Sequence, residues 1–338
     1  MQSASTESGP GAASRWLPTA AAIGTGALVS VQARVSAALA DRSDVYNAAW
    51  VTVITGMLIL LVLIVALRRA RHGFRAVASA VRGRTLPWWA LFGGLAGMYF
   101  VVTQGTAAGV LGLAMFAMAV VTGQVVGGLV FDWIGVSGER RRPTLFRVVG
   151  SLLAIAAVTW GAVAGDGSKM DVGLLAMAFT AGLGLSAASG ATGRLQSVSR
   201  SVVTSGSINH LVGLTVIVTL LLVTGPVDLS RFALPSEPWL FLGGVIGPIG
   251  VAAGAILVNR LGVLLLGLGM VAGQLIGALV LELIVPTGGG GIQLASVVGI
   301  ALTLVGVAVT SLDGRRRRAA ERDSVREVRG RGPQGELA

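Results

Sequence analysis

The sequence contains no cysteine, a single lysine (Lys169) and only two histidines, His72 and His210. Without thiols it can form neither a disulfide framework nor a thiolate metal site, and its redox compartment stays open. Two separated histidines leave little from which to build a metal centre, so neither a metal nor a cofactor is expected. Enzyme signatures are missing as well: the apolar stretches hold no Ser/His/Asp set and no paired aspartates, and no phosphate-cradling loop leads to a lysine. Gly288–Gly291 has no lysine after it and reads as an external turn. With no nucleotide-binding domain, transport driven directly by ATP within this chain is excluded, and the chain reads as a non-enzyme. Charge is scarce too. Charged residues make up 12% and hydrophobic ones 54% of the chain, and the mean hydropathy is +0.80, which excludes an ordinary soluble domain.

What is present is a series of apolar runs long enough to cross a bilayer, where a helix needs roughly 20 residues. Ten spans are expected, at about 17–39, 46–67, 88–108, 112–135, 146–165, 172–193, 206–224, 239–258, 263–285 and 292–312. The first lacks a basic leader and contains Gln32 and Arg34, so it reads as a span and not as a cleaved signal peptide.

A net charge of +11 would suggest nucleic acid in a soluble protein, but the placement of the charges argues otherwise. Arg68, Arg69, Arg71, Arg75, Arg82 and Arg84 lie between spans two and three. Arg140, Arg141, Arg142 and Arg147 lie between spans four and five, and Arg315 to Arg318 follow span ten. The opposite loops carry only Arg42, Lys169 and Arg231. This is the positive-inside pattern, and it puts both termini in the cytoplasm. The basic tail at 313–338 reads as a disordered segment that touches anionic lipid. The expected partners are therefore a lipid bilayer and a small-molecule substrate, with protons as a candidate coupling ion and no nucleic acid.

The chain also repeats itself. Gly123-Gln124-Val125-Val126-Gly127-Gly128-Leu129-Val130-Phe131-Asp132 returns as Gly273-Gln274-Leu275-Ile276-Gly277-Ala278-Leu279-Val280-Leu281-Glu282, 150 residues later. Gly93, Gly94, Gly97 and Gly112 recur as Gly243, Gly244, Gly247 and Gly262. Residues 17–165 and 172–312 then form two five-span units, with a tail at 1–16. Because five is odd, the second unit enters from the opposite face. The fold class expected is all-α: a polytopic membrane protein of ten helices in two inverted five-helix repeats, an arrangement typical of transporters.

Several polar residues fall inside spans, where lipid offers no partner. Gln124 and Gln274 are expected near mid-membrane at matching depth, as lining of a substrate site or as interhelical glue. Gln32 and Gln104 in the outer half are further candidate substrate contacts. Asp132 and Glu282 are the two acids placed within spans. The repeat puts one near each face, as coupling or gating groups or as side chains reaching the interface. Arg141 or Arg142 is a structural partner for Asp132. Asn47 and Asn209 read as caps opening spans two and seven, His210 as an interfacial residue, and Trp50, Trp88, Trp89, Trp133 and Trp239 as interfacial anchors.

The five-span unit with Gln32 and Arg34-Val35-Ser36 in its first helix, Asn47 opening the second, Trp88 to Gly97 in the third and Gly123-Gln124 to Asp132 in the fourth resembles the YdcZ-like family. That family, EamA-like in kind, belongs to the drug/metabolite transporter (DMT) superfamily. The chain is similar to its fused two-unit form over roughly residues 17–312. The resemblance implies a secondary transporter of the bacterial inner membrane, an exporter of a small metabolite or drug, and leaves the substrate open. A lipid-handling protein or a non-transporting scaffold is the alternative.

Overall fold

The structure is a computed structural model that describes residues 13–136, 142–164, 171–224, 234–285 and 294–309. The first twelve residues, Arg140, Arg141, Lys169, Arg231, the Gly288–Gly291 turn and the C-terminal tail from 310 lie outside the described residues. Among the described residues all regular structure is helical: α1 (Ala13–Arg42), α2 (Val45–Ala66), α3 (Arg68–Arg82), α4 (Gly93–Leu111), α5 (Leu113–Ile134), α6 (Leu145–Ala164), α7 (Val172–Ser199), α8 (Val202–Thr224) and α9 (Leu242–Ile284), then α10 (Leu294–Val309). Single 3-10 turns, Trp88–Phe92 and Pro238–Phe241, lead into α4 and α9. Eight helices are long and apolar enough to cross a membrane, and two shorter apolar ones, Pro238–Gly254 and Leu294–Val309, accompany them.

Three local expectations change. The basic stretch after α2 is a helix, not a loop. Ala70, Gly73 and Val77 are buried along one face of α3, and Thr204 Oγ1 donates to the Ala70 carbonyl at 2.9 Å. Arg68, Arg69, Arg71, Arg75 and Arg82 are exposed on the other side. The α2 cap is Asp44, whose carboxylate accepts from Tyr46 N and Asn47 N. Asn47 thus lies inside the first turn. Helix α8 begins at Val202, where Ser201 Oγ accepts from Thr204 N at 3.2 Å, so Asn209 sits two turns inside it. At the starts of α2 and α8 a carboxylate or hydroxyl just upstream takes the cap because it reaches the orphan amides first.

Helix α9 has 43 residues and would be about 65 Å long if straight, twice the hydrocarbon thickness. Its neighbours show that it folds back. Gly243 lies against Val35 and Ser36 of α1, Gly269 against Ala22, Gly273 against Ile23 and Gly277 against Ala27. The partner first descends α1 and then climbs it again, so α9 has two legs. Leu257, Leu261 and Leu266 cluster with Ala22 at the bend. The matching reversal between α4 and α5 is made by Gly112 at φ 79°, a conformation that favours glycine.

The two halves pack by one scheme. Gly273 meets the Ile23 carbonyl and Gly26 the Met270 carbonyl, while Gly123 meets the Phe179 carbonyl and Gly182 the Val120 carbonyl. Each pair joins the first helix of one half to the fourth helix of the other. Likewise Gly244 abuts Thr52 and Gly94 abuts Asn209. Lipid tails are as apolar as leucine, so close backbone approach at small residues is what holds such helices together. The core runs along α5, where Leu113 to Gly123 are all buried.

Candidate functional site

Helix α5 and the second leg of α9 run antiparallel. Leu113 N donates to Glu282 Oε2 at 2.6 Å, and Leu113, Phe116 and Ala117 share one narrow void with Gln274 and Ala278. Gln274 is 6% exposed, and Ser30 and Ala33 of α1 complete the lining. The void is too tight for a water molecule.

Gln124 is half-buried and is not part of that lining. The two glutamines do share a backbone device. Ser30 Oγ donates to the Gln274 carbonyl and Ser186 Oγ to the Gln124 carbonyl, each at 2.6 Å. Gln32 is half-buried on α1.

Gln104 is fully buried on α4. Ser36 Oγ of α1 approaches its Oε1 at 3.5 Å, and its Nε2 is a buried donor without a partner among the described residues. The hydroxyl of Thr52 on α2 is likewise buried and unpartnered. It lies 3.3 Å, and Ser36 Oγ 3.8 Å, from the point where a side chain on Gly243 would begin. Three helices and the start of α9 thus converge on a small polar cluster. In the matching place in the other half, Asn209 Nδ2 donates to Thr192 Oγ1 at 2.8 Å, next to Gly93.

The acids lie at opposite ends of α5, a helix of 22 residues and about 33 Å. Glu282 is 6% exposed and caps the first amide of α5. Asp132 pairs with Arg147 at the start of α6. Arg147, on the first turn of the helix packed against α5, supplies a partner; Arg141, one of the two partners expected from the sequence, lies outside the described residues. Among the described residues no group of three or more His, Asp or Glu side chains is placed to hold a metal ion.

Two tryptophans read from the sequence as anchors do more. The Arg42 guanidinium lies over the Trp239 ring at 5.2 Å and 3.3 Å from Glu237, and Trp239 Nε1 donates to Glu237 at 2.6 Å. At the other end Arg194 lies over Trp89 at 5.1 Å and donates to the Val136 and Gly135 carbonyls at 2.8 and 3.1 Å. Trp89 and Trp239 are themselves one repeat spacing apart. Each latch therefore joins the first helix of one half to the third-helix entry of the other. Next to the second latch, Trp89, Phe92, Leu95, Val136, Ala188 and Ala191 line an apolar cleft of about 270 Å³. Sequence reading missed the latches; the signal available was the repeat register, which aligns Trp239 with Trp89 and not with Trp88.

Against known families the chain matches a profile described as "Putative inner membrane exporter, YdcZ", over residues 17–160 and again over 173–309. The chain belongs to the DMT YdcZ family. It is a multi-pass inner-membrane protein of two matching units, as the sequence repeat implied. A solved structure described only as "Crystal structure of protein" is similar in fold, with a TM-score of 0.54 and 17% identity over 90% of this chain and 98% of that one. Among curated proteins nothing matches.

Proposed function

We propose that the chain is a secondary exporter of a small polar molecule that works by alternating access between two inverted five-helix repeats. The observation that carries this reading is the pair of Arg–Trp latches, related by the repeat and set at opposite ends of the bundle. Both bridge the two halves, so rocking one half against the other breaks one latch and keeps the other. Ten crossings follow if both legs of α9 and α10 span. The antiparallel course of equivalent helices, α5 and the second leg of α9, supports the inversion, and the arginine distribution supports a cytoplasmic position for both termini. The Arg42 latch is then external and the Arg194 latch internal. Gln274 with Ser30, Gln104 with Ser36, and the half-buried Gln124 and Gln32 mark the route. Coupling to protons runs through Glu282 or Asp132.

The test compares metabolites of cells lacking and overproducing the protein. A compound retained by the first and released by the second is expected, and its release should fall at least about tenfold in Arg42→Ala and Arg194→Ala. Unchanged metabolite pools would overturn the reading. The apolar cleft beside Trp89 favours a second reading, lipid handling, and lipid scrambling by reconstituted protein with no solute flux would establish it instead.

Topology has its own check, helped by the absence of native cysteine. A cysteine at Ser43 should react with an impermeant maleimide from outside intact cells, and one at Thr85 only after permeabilisation. Labelling of both from one side would rule out this orientation.

A further inference from the structure

We propose that Ser36, Thr52 and Gln104 form an outer recognition site for an uncharged group that both donates and accepts hydrogen bonds, such as a hydroxyl or a primary amide. The inference rests on the exporter reading above and names the substrate chemistry at one point on its route.

Unpartnered polar atoms in a membrane protein interior are costly and uncommon. Here two fall in one cluster: Gln104 Nε2, on a residue with no exposed surface, and Thr52 Oγ1, on one 5% exposed. Ser36 Oγ links the two: it lies 3.5 Å from Gln104 Oε1 and, like Thr52 Oγ1, borders the point where a side chain on Gly243 would begin. Together they offer an amide donor and two hydroxyls that donate or accept. No charged side chain takes part in these contacts, so an ion would enter without a counter-charge, at a high desolvation cost.

The equivalent position in the other half is built differently. There Asn209 Nδ2 donates to Thr192 Oγ1 at 2.8 Å, and only Asn209 Oδ1 is left buried without a partner. In the outer cluster the shorter Thr52 stands in place of Asn209 and closes no such bond, so a hydroxyl and an amide donor are left unpartnered where the other half leaves a single acceptor oxygen. Access is controlled from above. Gly243, which closes the cluster, lies one helical turn beyond Trp239, and the Arg42–Glu237–Trp239 latch ties that segment to α1. Releasing the latch lets the first leg of α9 swing off Ser36 and Thr52.

Two measurements test this on the full chain in proteoliposomes. First, Thr52→Val removes an unpartnered hydroxyl, and Gln104→Met an unpartnered amide donor together with the oxygen at the long 3.5 Å contact from Ser36, each with little change of shape. Groups kept for binding at the expense of stability should, when removed, raise the melting temperature by about 2 °C or more. A fall in melting temperature for both would mean that the cluster is structural and would overturn the proposal.

Second, Thr52→Cys supplies the only thiol in the protein, and its reaction rate with a methanethiosulfonate reagent added outside reports access. Combining it with Arg42→Ala should speed labelling at least fivefold. Acetamide and glycerol should slow labelling at least threefold, while acetate and ethylammonium should leave it unchanged. If labelling responds to the latch but no neutral probe protects, the substrate class fails and the exporter reading stands. If the thiol stays inert in every background, the cluster does not open outward and both fail.

Discussion

Gly273→Val is expected to abolish the accumulation of folded protein. A side chain at this position would start inside the Ile23 carbonyl of α1, and the reciprocal approach of Gly26 to the Met270 carbonyl leaves α1 no direction in which to retreat. Gly269 against Ala22 and Gly277 against Ala27 extend the same seam by a turn on either side. Overpacking a single well-filled site costs about 1–3 kcal/mol. Here relief requires separating two helix backbones along several turns, which removes the close packing that joins the halves, so about 3 kcal/mol or more is the expected loss. Gly123→Val should do the same at the α5–α7 seam, where Phe179 and Gly182 are the obstacles. Gly24→Ala and Gly97→Ala are the controls, because nothing lies within 4 Å of a side chain at either position. Size-exclusion yield in detergent and thermal melting read the difference. Wild-type yield of Gly273→Val would show that the seam does not hold the bundle together.

The seam also explains how far the sequence could be read. Duplication, the all-helical membrane class and the family were legible because the Gly-Gln phrase and the apolar runs are local patterns that a repeat and a hydropathy scale detect. The phrase singled out its glutamines, but its packing content lies in its glycines: Gly123, Gly127, Gly273 and Gly277 touch the first helix of the opposite half. That partner is poorly visible from sequence, because the first helices of the two halves match weakly and their register differs from that of the fourth helices. Ser30 and Ser186 bonding to the glutamine carbonyls became recognisable as equivalent only in space. The same reason hid the latches. Arg42 sits at the very end of α1 while Arg194 lies inside α7, so no sequence offset relates them, although each reaches a tryptophan of the repeat. Helix α3 was hidden by its charge. Six arginines from 68 to 84 read as a loop, although Ala70, Gly73 and Val77 already mark one helical face.

Glu282→Ala is expected to destabilise the protein strongly, and Glu282→Gln only mildly; the contrast separates the two roles open to this carboxylate. Leu113 N is the first amide of α5, and the preceding Gly112 has no side chain with which to cap it. Glu282 reaches across from α9 to accept that bond at 2.6 Å, so a residue of one half caps a central helix of the other. Alanine leaves the amide buried without an acceptor, at about 1–3 kcal/mol, and also removes a negative charge from a helix N-terminus, worth a further ~0.3–1 kcal/mol. Glutamine keeps an acceptor oxygen at nearly the same place and loses mainly the charge term. If capping is the whole role, transport should follow stability, and Glu282→Gln should retain most of its flux at a temperature well below its melting point. If the carboxylate also carries the coupling proton, glutamine cannot release one. Uphill export driven by a proton gradient should then collapse by at least about tenfold while downhill exchange of the same substrate persists, because binding and rocking remain intact. Protonation of Glu282 would weaken its hold on Leu113, and that bond joins the two halves beside the Gly112 reversal. On the coupling reading the same carboxylate would convert a proton into a looser contact between the repeats, and the glutamine variant, folded but uncoupled, is the result that would show it.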